Sequence, residues 1–181
     1  MKVFPPSSHP RMRWLRSPMG SGPYRYWLVD GGSLTRRLQR RCTDFAVQGV
    51  RLTDARPRLD EAGLLRTSSR RLALLREVRL VCAGRPVVFA HSVLPYTSLR
   101  GPWLGLARLG DRPLGGQLFA DPRVVRTPLE YKKLHPHQAL YRRATAHLND
   151  RPLAIWARRS VFSLGSAAIL VTEVFLPQVL G

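Results

Sequence analysis

Two long apolar runs in this chain are each interrupted by a charge where a buried face would be. Residues 72–82 read LALLREVRLVC and residues 167–176 read AAILVTEVFL. Both have the length and β-branched content of strands, in which alternate residues share a face. Arg76 then shares a face with Leu72, Leu74, Val78, Leu80 and Cys82. Glu173 shares one with Ile169, Val171 and Phe175. An unpaired buried charge costs several kcal/mol or more, so a fold keeps one only when something pairs it. Either the two pair with each other, or they line a pocket for a polar ligand.

The remaining pattern supplies the surrounding elements. Residues 72–82, a turn at Ala83-Gly84-Arg85-Pro86 and residues 87–94 form a hairpin, which makes the sheet antiparallel there. A second pair of strands is predicted at 155–164 and 167–176, joined through Gly165-Ser166, and a further strand at 45–52. Ser33 is a good N-cap for a helix carrying Leu34, Leu38 and Cys42. Leu99, Trp103, Leu106 and Leu109 recur near helical spacing over 98–109, with Gly110 as the C-cap. Asp111 and Pro113 open a second short helix with Leu114, Leu118 and Phe119, so the two make an αα-hairpin. A short helical piece is expected near Glu61–Leu65, and residues 121–150 read as a basic, partly helical stretch. The fold class is α+β: a single antiparallel sheet with helices on one side.

Composition narrows the classes. The 181 residues suffice for one domain with a substantial core. No stretch approaches the ~20 apolar residues of a membrane span. Residues 1–26 carry Pro5, Pro6, Pro10, Pro18 and Pro23 and lack the apolar core of a signal peptide. They are expected to be a loose N-terminal arm before a single domain over 27–181, and the chain to be a cytoplasmic monomer. Cys42 and Cys82, widely spaced, read as two buried thiols of a reducing compartment.

The formal charge of +19 comes from 27 arginines and only 3 lysines. These are spread along the chain rather than massed in a tail, which argues against a specific nucleic-acid partner. A basic nucleic-acid-binding protein is one alternative; a non-catalytic, ligand-sensing effector domain is another. His135-Pro136-His137 is a weak metal signal and is read as an exposed loop.

Several stretches together resemble the chorismate lyase (chorismate–pyruvate lyase) family. They are residues 30–38 (DGGSLTRRL), 75–78 (LREV), 95–99 (PYTSL), 109–115 (LGDRPLG), 156–160 (WARRS) and 170–177 (LVTEVFLP). The resemblance implies a lyase that cleaves chorismate to 4-hydroxybenzoate and pyruvate, the entry to ubiquinone synthesis, with no metal or organic cofactor. It implies a sheet with helical flaps over an internal ligand site. It also implies Arg76 as the carboxylate-binding arginine, Glu173 as the hydroxyl-binding glutamate, and backbone contacts at Leu34 and Leu114. Some members carry an arginine at the position of His91, which makes His91 either a secondary substrate-binding candidate or a satisfied core histidine.

Overall fold

A computed structural model describes residues 13–181. The chain enters with a 3-10 turn at Gly22–Tyr24 and a single helical turn, α1, at Arg25–Leu28. Helix α2 spans Leu34–Arg41, capped by the Ser33 hydroxyl accepting from the Arg36 N–H at 3.4 Å. Strand β1 (Ala46–Ala55), helix α3 (Leu59–Leu64) and the hairpin β2 (Ala73–Cys82) and β3 (Arg85–Pro95) follow. The hairpin turn is two residues, Ala83 at φ 49° and Gly84 at φ 69°. Positive φ at both central positions is what a tight hairpin turn requires.

Helix α4 (Tyr96–Leu99) and a 3-10 segment at Leu104–Arg108 occupy the stretch expected to be one helix over 98–109. Gly101-Pro102 divides it: proline lacks an N–H and pushes its predecessor out of the helical region. Helix α5 covers Leu114–Leu118. Residues 121–150 then differ from expectation. They hold strands β4 (Val125–Arg126) and β5 (Glu130–Leu134) before helix α6 (Ala139–Thr145). Neither strand is long or alternating enough to be read from sequence, and both exist by pairing with β6 (Ile155–Leu164). Strand β7 (Ala167–Phe175) ends the sheet.

The seven strands form one antiparallel sheet in the order β1-β2-β3-β7-β6-β4, with β5 also on β6. Register sorts the side chains into two faces. On one lie Arg76, Val78 and Leu80 of β2, opposite Ser92, Ala90 and Val88 of β3. The same face continues through Val171, Glu173 and Phe175 of β7 to Ser160, Arg158 and Trp156 of β6. Leu34 and Leu38 of α2 pack on its lower part with Val78, Leu80, Val88 and Phe175. Leu114 and Leu118 of α5 pack on its upper part with Leu94, Phe162 and Ile169.

Helices also cover the other face, contrary to the one-sided arrangement expected. Leu140, Tyr141 and Ala144 of α6 pack against Phe89, Ala157 and Val174. A sheet with apolar residues on both faces needs both covered.

Two more expectations change. Of the arm expected over residues 1–26, residues 1–12 lie outside the described ones. Residues 13–26, though mostly exposed, are tied to the domain: Leu15 exchanges backbone hydrogen bonds with Tyr131 at 2.7 and 2.8 Å, and the Trp14 indole donates to Asp60. Cys42 and Cys82 are not separate thiols. They form a disulfide with Cα atoms 5.7 Å apart, because the end of α2 meets the end of β2. Both are half-buried. The compartment expectation loses the support it drew from reduced cysteines. Among the described residues no helix is long and apolar enough to cross a membrane.

Candidate active site

A cavity opens between the sheet and its two flaps, α2 and α5. Its floor is Arg76, Val78, Leu80, Ala90, Ser92, Phe162, Val171 and Glu173; Leu34 and Thr35 close one side, and Leu114, Leu118 and Phe119 the other. With the flaps closed on the sheet the space left is small, a cavity volume of about 40 Å³. Apolar walls with a few convergent polar groups are the usual make-up of a small-molecule site. The flaps touch at Gly115, where an added Cβ would stand 3.0 Å from the Thr35 hydroxyl and 3.6 Å from that of Ser33.

Arg76 is 3% exposed. Its Nη2 donates to the carbonyls of Gly110 at 2.9 Å and Arg112 at 3.0 Å, which ties the turn before α5 to the sheet. Its Nε is buried with no hydrogen-bond partner. Burial lowers its pKa, since a low-dielectric setting disfavours the cation. Buried donors are almost always satisfied, so an orphaned guanidinium N–H marks room for an acceptor.

Glu173 does not pair with Arg76. Its Oε2 accepts from Arg158 Nε at 2.5 Å. Arg158 is 1% exposed. Its Nη1 donates to the carbonyls of Trp27, Leu28 and Asp30 at 2.9, 3.3 and 2.6 Å. One guanidinium thus holds Glu173 and the segment that leads into flap α2. Sequence reading did not single out this residue, which appears there only within the stretch WARRS. The signal was there: Arg158 is two residues from Trp156 in an apolar run, so it faces inward by the same alternation as Arg76.

Leu34 and Leu114 each take the first position of a flap helix, where the amide has no intrahelical acceptor. Both line the cavity.

His91 is placed elsewhere. It lies opposite Glu77 on the other face of the sheet, outside the cavity. The reason is a register shift between Leu80 and Val81. Without that irregularity the two-residue turn would set His91 opposite Arg76. The ring is 1% exposed and bridges Glu77 through Nδ1 and Glu61 through Nε2, both at 3.1 Å. Burial opposes its charge, but the hydrogen bonds to Glu61 and Glu77 outweigh it and raise the pKa; Arg143, salt-bridged to Glu77 at 3.0 Å, pulls the other way. His91 is therefore a satisfied core histidine.

His135 and His137 stack on each other in a turn, and no described group of three His, Cys, Asp or Glu side chains could hold a metal ion.

The sequence profile of the family described as chorismate lyase matches residues 11–181. The chain belongs to the chorismate lyase family. It is 54% identical over 170 residues, 94% of this chain and 96% of the relative, to the probable chorismate pyruvate-lyase of Methylobacillus flagellatus. It is 46% identical over 181 residues to the protein of the same description from Nitrosomonas europaea, covering 99% and 98% of the two chains. As a member of the chorismate lyase family the chain is a lyase. Among solved structures, the effector domain of PhnF from Mycobacterium smegmatis superposes with a TM-score of 0.59 at 20% identity, over 81% of this chain and 90% of that one. At that identity the likeness shows a shared fold alone.

Proposed function

We propose that this lyase converts chorismate to 4-hydroxybenzoate and pyruvate, the first committed step of ubiquinone synthesis. The observation that carries the reading is the cavity, which holds a guanidinium with an unsatisfied buried N–H at Arg76 and a fixed carboxylate at Glu173, with apolar walls between. Arg76 takes the ring carboxylate, which a planar fork of donors fits. Glu173 takes the ring hydroxyl. Free amide N–H groups at Leu34 and Leu114 donate to the remaining ligand oxygens. Val78, Leu80, Leu118 and Phe162 face the ring.

The chemistry asks little beyond placement. The ether bond at ring C3 breaks and its electrons form the carbonyl of pyruvate. The hydrogen on ring C4 ends on the former methylene, and the ring becomes aromatic. A cyclic transition state balances these changes with no external acid or base, so the protein's main contribution is to hold the reactive conformer. The Arg158–Glu173 pair keeps that carboxylate in one rotamer, which is what positioning requires.

Incubation with chorismate, following pyruvate and 4-hydroxybenzoate together, tests the reading. Equal yields of both are expected. No cleavage, or 3-hydroxybenzoate in place of the 4-isomer, would redirect it. Arg76→Ala and Glu173→Ala, shown folded by circular dichroism, should each lower kcat/KM by about a hundredfold or more, as loss of charged hydrogen bonds in a dry site does. Near-normal activity in either would remove the assigned roles.

A further inference from the structure

Arg126 is a second cation of the cavity that neither the sequence pattern nor the family resemblance singled out. It sits on the two-residue strand β4 opposite Phe162, and so shares the face of Ser160, Arg158 and Glu173. It lines the same cavity as Arg76. Its position is fixed on three sides. Nε donates to the Ser160 hydroxyl at 2.7 Å and Nη1 to the Gly31 carbonyl at 2.6 Å. The guanidinium carbon lies 5.5 Å from the ring centroid of Phe119 and 5.0 Å from that of Phe162. Nη2 takes no protein acceptor among the described residues.

The charge count of the cavity is the deciding feature. Glu173 is neutralised by Arg158 at 2.5 Å. Among the described residues neither Arg76 nor Arg126 has a carboxylate within 4.0 Å, whereas the buried Arg158 and Arg159 each do. The cavity wall therefore carries two uncompensated guanidinium groups. Burial lowers the Arg126 pKa, and the more distant Glu173 only partly offsets this. A fold that holds two such cations around one small space is matched to two negative charges on its occupant.

We propose that Arg126 binds a second carboxylate of the substrate, the one on the three-carbon side chain that leaves, so that the cavity is built for a dianion. This rests on the chorismate-cleaving reading above. Chorismate carries one carboxylate on the ring and one on the side chain. Cleavage divides them: the aromatic product keeps the first and pyruvate carries off the second. Arg126 thereby favours substrate over aromatic product, while Arg76 grips both. Because Arg126 also holds Gly31, just before flap α2, a ligand on Arg126 is fastened at the flap's root.

The test compares two unreactive probes: 3-(1-carboxyvinyloxy)benzoate, a dianion, and 3-isopropenyloxybenzoate, in which a methyl replaces the side-chain carboxylate. Calorimetry on the wild-type protein should show the dianion binding about 10- to 100-fold more tightly, the usual worth of a charge-assisted hydrogen bond. Arg126→Gln should bring the two affinities level by weakening the dianion alone, and Arg126→Lys should restore part of the gap. Arg76→Gln should weaken both. Equal wild-type affinities would overturn the proposal, whether or not any variant folds. So would an Arg126→Gln protein that loses both probes equally, since that is the mark of a purely structural role through Gly31 and Ser160. Failure of the chorismate reading is separate: it would appear as a wild-type protein that prefers the dianion yet releases no pyruvate.

Discussion

Replacing Arg158 with methionine removes one side chain that serves two tasks. The side chain is 1% exposed, so methionine keeps most of the packing volume and deletes the charge. Glu173 would be left in the cavity wall without its cation. Breaking a buried ion pair from one side costs roughly 3–5 kcal/mol. The carbonyls of Trp27, Leu28 and Asp30 lose a donor as well, and each lost bond is worth about 1 kcal/mol when counted alone. These terms overlap, because one guanidinium makes all of them. About 5 kcal/mol is a fair total, a third or more of the ~5–15 kcal/mol that typically holds a domain together. At ~2–4 °C per kcal/mol for a chain of this size, the midpoint of thermal unfolding should fall by about 10–20 °C.

The size of that loss has two parts, and a double-mutant cycle separates them. Arg158→Met with Glu173→Leu removes the stranded carboxylate but not the stranded carbonyls. The double variant should recover about half the loss of the Arg158→Met variant, about 2–3 kcal/mol, read from urea unfolding at constant pH, and the Glu173→Leu variant alone closes the cycle. Two outcomes would refute the reasoning. One is an Arg158→Met protein less than about 1 kcal/mol below wild type. The other is a double variant no more stable than the single, which would mean that Glu173 never depended on Arg158.

Three further perturbations address other parts of the molecule. Gly115→Val puts two methyl groups where even a Cβ is 3.0 Å from Thr35; it should pry α5 from α2 and raise the dissociation rate of 4-hydroxybenzoate in stopped-flow, and an unchanged rate would mean the flaps do not gate release. Reduction of Cys42–Cys82, separated by 40 residues, should cost about 4 kcal/mol by loop entropy, seen as a lower urea midpoint with dithiothreitol; no change would mean the bridge contributes nothing. The third concerns pH. His91 has its pKa raised from 6.5, so its contribution is complete below that value and is lost as pH rises through the folded-state pKa. Burial works against ionisation of Glu61 and Glu77, but hydrogen bonds to His91 and nearby positive charge more than offset it and lower both pKa values from 4.5. Their contribution is present above 4.5 and fades as pH falls through the lower folded values. Stability should decline on both sides, and His91→Gln should flatten the alkaline limb. An alkaline decline of equal size in that variant would assign it to another group.

How much of this was legible beforehand depends on whether a signal is local. Arg76 and Glu173 stood out because alternation within a single run is enough to put them inside. The hairpin and the last two strands were read for the same reason, within a residue or two at their ends. Arg158 obeys the same alternation, but its meaning lies in being opposite Glu173, and that is a property of the β6–β7 register. Arg126 had no chance of being seen, since a two-residue strand has no period. His91 was left open between a substrate contact and a core histidine, because what decides it is a single residue of register at Leu80/Val81, which turns a side chain from one face to the other. The split of the helix over 98–109 was visible in Gly101-Pro102 and was outweighed by the spacing of four large apolar residues.

The two faces of the sheet then divide structural charge from functional charge. On the far face, His91 in its protonated form and Arg143 stand against Glu61 and Glu77. Beside them Arg159 binds Glu130 and Asp60, and Lys132 lies near enough to Asp60 to feel its charge. The first group sums to zero; in the second, Arg58 at 3.6 Å from Asp60 adds one more positive charge, but both of those side chains are exposed and solvent screens them. On the cavity face the sum is not zero: Arg158 cancels Glu173, and Arg76 and Arg126 remain. Nothing in the packing of the sheet calls for that surplus, and an apolar pair at those positions would cost less. The formal charge of +19 could not have pointed there, because it is spread over every element. What marks the cavity is a local imbalance of two charges in a space otherwise lined mostly by apolar side chains, the imbalance that the proposed dianion would cancel.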